Sequence, residues 1–254
     1  MIFPIGDDQV EGGSFPIFSY AFIALNILAF FGQIYFDPTY LMTCQYGSIP
    51  NEIIRGQDLF TIITSMFMHG GWMHLIGNML FLWVFADNIE ATVGNISFLI
   101  FYLLGGLAAT GIHIAMEQLF MDPTLFANCC ETCTGNVYTK CVEGVTYCPG
   151  STPSVGASGA ISAVMGAYLV MFPSSRIKML VIYFFKSFHI PALLFLGFWI
   201  AQQLFCGFMG LGGTGGGVAW WAHIGGFVFG AIAGYFGRAS VKAHNEGLKT
   251  KDFL

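Results

Sequence analysis

Charge is what this sequence has least of. Of its 254 residues only 9 are Lys or Arg and 14 are Asp or Glu, 9% in all, where a soluble domain carries about 25%. Too few charged groups remain to coat a water-facing surface of this size, which excludes a soluble enzyme. A disordered chain is excluded too, because 56% of the residues are hydrophobic. Nine basic residues and a net charge of −5 offer no phosphate-binding stripe, so nucleic acid is excluded as a partner. No internal repeat stands out. The first fifteen residues lack the basic segment that opens a cleaved secretory signal, so the first apolar stretch reads as a retained helix. What is abundant is apolar: the mean hydropathy is +0.70, with 27 Phe and 33 Gly. The composition is that of an all-α polytopic membrane protein.

A helix needs about 20 mostly apolar residues to cross a hydrocarbon core of about 30 Å. Six stretches meet or approach this length, at 16–36, 71–87, 96–120, 156–172, 190–209 and 218–236. Pro16 and Pro191 sit near helix starts, where a missing N–H is harmless, and Pro173 closes the fourth stretch. The basic residues set the orientation. Arg176, Lys178 and Lys186 lie between spans four and five, and Arg238, Lys242, Lys249 and Lys251 follow span six. Only Arg55 and Lys140 fall on the other side, and seven against two places both termini in the cytoplasm. Residues 1–15 are then a short cytoplasmic N-terminus, 16–236 the six-helix domain, and 237–254 a basic cytoplasmic tail. The expected location is the cell (plasma or inner) membrane.

The seven cysteines agree with this sidedness. Cys129, Cys130, Cys133, Cys141 and Cys148 crowd an extracytoplasmic insertion at 122–152, and Cys44 lies just outside span one. An oxidising compartment makes disulfides the leading reading, with the pairing open. Cys130 and Cys133 have the spacing of half a zinc site, but Cys141 and Cys148 are too far apart to supply the second close pair. Cys206, within span five, is the expected unpaired thiol. The Gly-rich segment 207–217 reads equally as a mobile cap or as a plain linker.

Ionisable side chains inside spans are costly and are read as functional by default. His69, His74, His113 and His223 all fall in or at the edge of spans, with Glu117 near the outer end of span three. Ser158 opens span four between Gly156 and Gly159. The 14 residues from Gly159 to Phe172 reach about 21 Å, roughly 9 Å short of the hydrocarbon thickness. With Pro173 at the cytoplasmic boundary, Ser158 sits below the outer surface at a helix N-terminus. Free N–H groups and the positive dipole end there suit a developing oxyanion. Taken alone the serine reads better as an N-cap, and that reading gives way only when the histidines are added.

His69 and His74, five apart, do not share a helix face, so a metalloprotease pair is disfavoured. His74 and Asn78, four apart, do share one, and both can donate hydrogen bonds. His223 lies about two turns into span six, at a depth comparable with Ser158, beside Gly225, Gly226 and Gly230. A neutral imidazole there is placed to be the base for a serine nucleophile. No acid is available at that depth: Asp87 and Glu90 lie far down the helix from His74, and Glu117 more simply pairs with His113. The expected machinery is a dyad, and it asks for no cofactor and no metal.

These residues resemble the rhomboid family of intramembrane serine proteases. The resemblance is carried by His69-Gly70-Gly71-Trp72-Met73-His74-Leu75-Ile76-Gly77-Asn78-Met79, by Gly156-Ala157-Ser158-Gly159, and by Ala222-His223-Ile224-Gly225-Gly226. It implies a six-transmembrane-helix bundle, with Ser158 as nucleophile and His223 as general base. It also implies an oxyanion hole of His74, Asn78 and the Ser158 N–H, supported by His69. The implied reaction is hydrolysis of peptide bonds within or beside transmembrane segments of other membrane proteins. Those segments and the lipid bilayer are the implied partners. Two departures stand out. Phe60-Thr61 replaces the Trp-Arg of many members, and Ser162 stands where members often carry an aromatic that stacks on the histidine. A non-catalytic relative that binds membrane helices is expected to lack Ser158 or His223. A transporter favours a repeat and midplane charge. Neither pattern is present.

Overall fold

The computed structural model describes residues 2–10, 13–36, 41–120, 152–210 and 218–251. Each of the six apolar stretches is a helix. α1 spans Ile17–Phe36, and three short helices follow in the segment before the next long one: α2 (Leu41–Tyr46), α3 (Pro50–Ile54) and α4 (Thr61–Thr64). Then come α5 (Trp72–Val93), α6 (Asn95–Phe120), α7 (Ser158–Met171), α8 (Ala192–Met209) and α9 (Trp220–Lys251). The prolines act as expected. Pro16 and Pro191 immediately precede α1 and α8, and α7 stops two residues before Pro173. Between α5 and α6 the chain turns at Gly94, whose φ of +83° suits glycine. Among the described residues α1, α6 and α8 are long and apolar enough to cross a membrane.

The distribution of polarity is that of a lipid-facing molecule. α1 buries Ser19, Phe22, Asn26, Phe30 and Gln33 on one face and exposes Leu25, Leu28, Phe31 and Ile34 on the other. Polar groups turned inward and bare aliphatics outward are what hydrocarbon, not water, selects. The core lies where α1, α5, α6 and α7 meet, with Phe22 stacked on Tyr102 at 4.2 Å and Leu82, Phe85 and Phe98 fully enclosed.

α7 is the central helix, buried along its whole length from Gly159 to Tyr168. It packs closely on α9 because small residues line both faces. A Cβ at Gly226 would fall on the carbonyl oxygen of Gly159, and one at Gly230 on that of Ala163. One at Gly234 would lie 2.8 Å from the Cα of Ala167. Gly225 faces the other way, onto Ile112 of α6. Backbone therefore meets backbone, as small-residue stripes allow in membrane helices.

The expectation of an all-α architecture is corrected. β1 (Ile2–Gly6), β2 (Arg176–Val181) and β3 (Lys186–Pro191) form an antiparallel sheet in the order β1-β2-β3. β2 pairs with β3 from Arg176↔Pro191 to Val181↔Lys186, and with β1 through Ile2↔Val181 and Phe3↔Leu180. The reason is local: Arg176, Lys178 and Leu180 alternate with Ile177, Met179 and Val181, and Ile177 and Met179 are buried. Residues 2–6 are thus held in a sheet. α9 continues past the apolar stretch to Lys251.

Polar side chains tie the N-terminal segment down. The Glu90 carboxylate, fully buried, accepts hydrogen bonds from the Phe18 N–H (2.8 Å), the Ser19 N–H (2.7 Å) and the Ser19 hydroxyl (2.7 Å). A side chain from α5 thereby caps α1 and sets a negative charge at its positive end. Asp7 accepts from the Asn88 amide at 2.7 Å and from the Tyr168 hydroxyl. Burial pushes the Asp7 carboxyl up to about 7 from its ordinary 3.8.

Two outcomes follow. The neutral carboxyl is the form that Asp7 favours when folded, so its contribution is complete below pH 3.8 and is lost as pH rises through about 7. Asp7→Asn is expected to flatten the pH dependence of thermal unfolding across that window, and to protect β1 amides from exchange at the alkaline end. Gly230→Val forces α9 off the Ala163 carbonyl and is expected to cost about 1–3 kcal/mol, read by unfolding in detergent.

Candidate active site

Ser158 and His223 meet because α7 and α9 touch without intervening side chains. Ser158 is the first residue of α7, and His223 lies in the first turn of α9. The Ser158 hydroxyl is 2.8 Å from His223 Nε2. On the other side of the ring, Nδ1 is 2.7 Å from the Gln203 amide oxygen. An amide oxygen only accepts, so Nδ1 carries the proton and the bare Nε2 faces the serine. The Ser158 O–H therefore donates to Nε2, the arrangement a general base requires.

A second cluster adjoins this pair. The His74 Nδ1 accepts from the Gly70 N–H at 3.3 Å, leaving Nε2 as the donor. The Asn78 amide nitrogen donates to His69 Nε2 at 3.0 Å, leaving its second hydrogen for another acceptor. Both donors converge on Gly156, two residues before Ser158. A Cβ there would lie 2.8 Å from His74 Nε2 and 3.5 Å from the Asn78 amide nitrogen. Gly156 also has a φ of +125°, so it must be glycine for both space and conformation. The backbone before α7 is anchored by the Gly156 N–H on the Ser65 carbonyl (2.9 Å) and by paired bonds between Ser48 and Ser154.

The structure brings together the five residues proposed for the site. Ser158 and His223 are bonded to each other. His74 and Asn78 present donors beside them, and His69, 2% exposed, supports Asn78 from behind. His113 pairs with Glu117 as expected, at 3.6 Å. The Thr61 hydroxyl and N–H bond the Asp58 carbonyl at 2.7 and 2.8 Å, a local anchor. Ser162, in place of an aromatic, donates to the Ser158 carbonyl at 2.6 Å.

Two residues escaped the sequence reading. Gln33 clasps the backbone of His69, accepting from its N–H at 2.9 Å and donating to its carbonyl at 3.2 Å. Gln203 bonds His223. An amide inside an apolar span was the available signal in both cases, since such a group must find a partner in hydrocarbon. Cys206 is a free thiol. The cysteines of the insertion, and segment 211–217 of the Gly-rich stretch, lie outside the described residues.

The fold and this geometry define a class: a multi-pass helical membrane protein with a partly buried serine–histidine pair. A family model described as the rhomboid domain matches residues 56–240, and the chain belongs to the rhomboid family. It is 29% identical over 163 residues to the rhomboid protease GluP of Bacillus subtilis, covering 63% of this chain and 26% of that protein. It is 24% identical over 222 residues to the mitochondrial rhomboid protein 1 of Saccharomyces cerevisiae, covering 85% and 52%. With the mitochondrial RHOMBOID-like protein 12 of Arabidopsis thaliana it shares 29% over 198 residues, covering 78% and 52%. The chain thus spans about a quarter to a half of the length of these relatives. Two of the three carry mitochondrial names, so these relatives do not carry the expectation of a cell membrane.

Gly156→Ala sets a methyl 2.7 Å from His74 Cε1 on backbone unfavourable to alanine. It is expected to displace the His74 ring, read as a changed imidazole nitrogen resonance in a protein that still folds.

Proposed function

We propose that this chain is an intramembrane serine endopeptidase that hydrolyses peptide bonds within or next to transmembrane segments of other membrane proteins. The observation that carries the reading is the 2.8 Å contact between Ser158 Oγ and an unprotonated His223 Nε2. Family membership supports it, as does the protease named among the relatives.

In this reading Ser158 Oγ attacks the scissile carbonyl while its proton passes to His223 Nε2. The carbonyl oxygen becomes an oxyanion, held by the His74 Nε2–H, the free hydrogen of the Asn78 amide and the Ser158 N–H. Collapse of the tetrahedral centre breaks the C–N bond, and His223 returns its proton to the departing amine. Water, deprotonated by the same imidazole, then releases the acyl group from Ser158. His69 acts through Asn78: by accepting one amide hydrogen it aims the other.

The reading includes six membrane crossings with both termini in the cytoplasm. The two ends of the bundle differ in keeping with it. The dyad and the Ser48–Ser154 bridge lie at one end, with the sheet, Arg176 and the Asp7 cluster at the other. Disulfides in the 122–152 insertion are part of the same proposal, supported by Cys44, which is disulfide-bonded.

Fluorophosphonate labelling of detergent-solubilised protein, run beside cleavage of a panel of single-span substrates, tests the proposal. Wild type is expected to label and to cleave, and Ser158→Ala to do neither. Asn78→Ala is expected to lower kcat about 10²-fold, the usual cost of one oxyanion donor. A folded wild type that neither labels nor cleaves would instead favour a non-catalytic binder of membrane helices.

A further inference from the structure

We propose that Trp199 and Gln203 of α8 are the positioning residues for His223, with Gln203 standing where serine hydrolases place a carboxylate. The inference rests on the proteolytic reading above and concerns how its base is held.

A serine–histidine pair needs the ring fixed in one tautomer and one plane, the part an aspartate plays in the familiar triad. Among the described residues no carboxylate bonds Nδ1, and the Gln203 oxygen makes the 2.7 Å contact instead. Gln203 is only 4% exposed, while its neighbours Phe198 and Phe205 are 76% and 64% exposed on the outer face of the same helix. The adjacent Gln202 faces outward. Burying an amide in an apolar helix is unfavourable unless it is bonded, and His223 provides that bond.

Trp199, four residues earlier, lies on the same face of α8. Its ring sits 5.8 Å from the imidazole at an interplanar angle of 38°. Ser162 turns its hydroxyl back to the Ser158 carbonyl. The ring is therefore gripped from α8 rather than from α7: Trp199 packs its face and Gln203 sets its tautomer.

An amide orients the ring but carries no charge, which makes the inference testable by adding one. The titratable groups facing His223 are His74 from α5 and His113 from α6, and the contacts from α7 and α8 are neutral. Full-length wild type, Gln203→Leu, Gln203→Glu and Trp199→Phe should be assayed for kcat and KM on one single-span substrate, from about pH 5 to 9. Gln203→Leu is expected to lose about 10²-fold in kcat with KM little changed. Gln203→Glu keeps the acceptor, so it is expected to cleave, with the acid limb of its profile moved up by about 1 pH unit or more. Trp199→Phe is expected to fall between wild type and Gln203→Leu in kcat.

A folded Gln203→Leu with wild-type kcat, or a Gln203→Glu profile coincident with wild type, would overturn the inference. Where Gln203→Leu does not fold, the Gln203→Glu profile decides alone. Ser158→Ala separates the two readings. If it cleaves like wild type, the protease reading itself falls. If it is inactive while the Gln203 variants match wild type, only the positioning role is lost.

Discussion

The contact between α7 and α9 is the constraint on which the rest depends. Gly159, Ala163 and Ala167 on one helix meet Gly226, Gly230 and Gly234 on the other, with carbonyl oxygens occupying the space side chains would need. A serine at the start of one helix and an imidazole in the first turn of the next reach bonding distance only because the axes lie this close. In lipid there is no hydrophobic drive to force helices together, so close packing of small residues supplies the attraction. The two glycine-rich motifs are therefore one device seen from both sides.

The remaining polar groups divide by their place in the bundle. Near the site, Gln33, His69, Asn78, Gln203 and His223 form a net of neutral donors and acceptors. At the far end stand Glu90 on the α1 terminus and Asp8 against Arg176. Charge is tolerable where water or a helix dipole compensates it, and neutral amides serve where neither is at hand. The exposed Asp8–Arg176 pair contributes little to stability, whereas Glu90 satisfies two N–H groups that α1 cannot satisfy itself.

Much of this was legible in the residues. Length and hydropathy located the six long helices, and Pro16, Pro173 and Pro191 placed three of their ends. Ser158, His223, His74, Asn78 and His69 were legible because polar groups in apolar runs are conspicuous. The sheet was not, since apolar length reports only the spans; its signal is the alternation from Arg176 to Val181. The far end of α9 was missed because hydropathy reports where apolar character stops, not where hydrogen bonding does. Gln33 and Gln203 were passed over because an amide carries no charge to draw attention. Their importance lies in which backbone or ring they meet, and only the tertiary arrangement settles that.

The stripe joining α7 and α9 repeats every four residues on both sides, so it would match itself again after a displacement of one repeat, about 6 Å. Such a ratchet would keep most of the packing and leave the helices intact, yet carry the Ser158 hydroxyl out of reach of the His223 ring. The ladder cannot by itself choose between these alignments. Contacts that do not repeat must choose: the Arg238 guanidinium on the Val170 carbonyl at one end, and the Gly156 N–H on the Ser65 carbonyl at the other. Peripheral bonds that look decorative would thus decide whether a fully folded molecule is competent or silent.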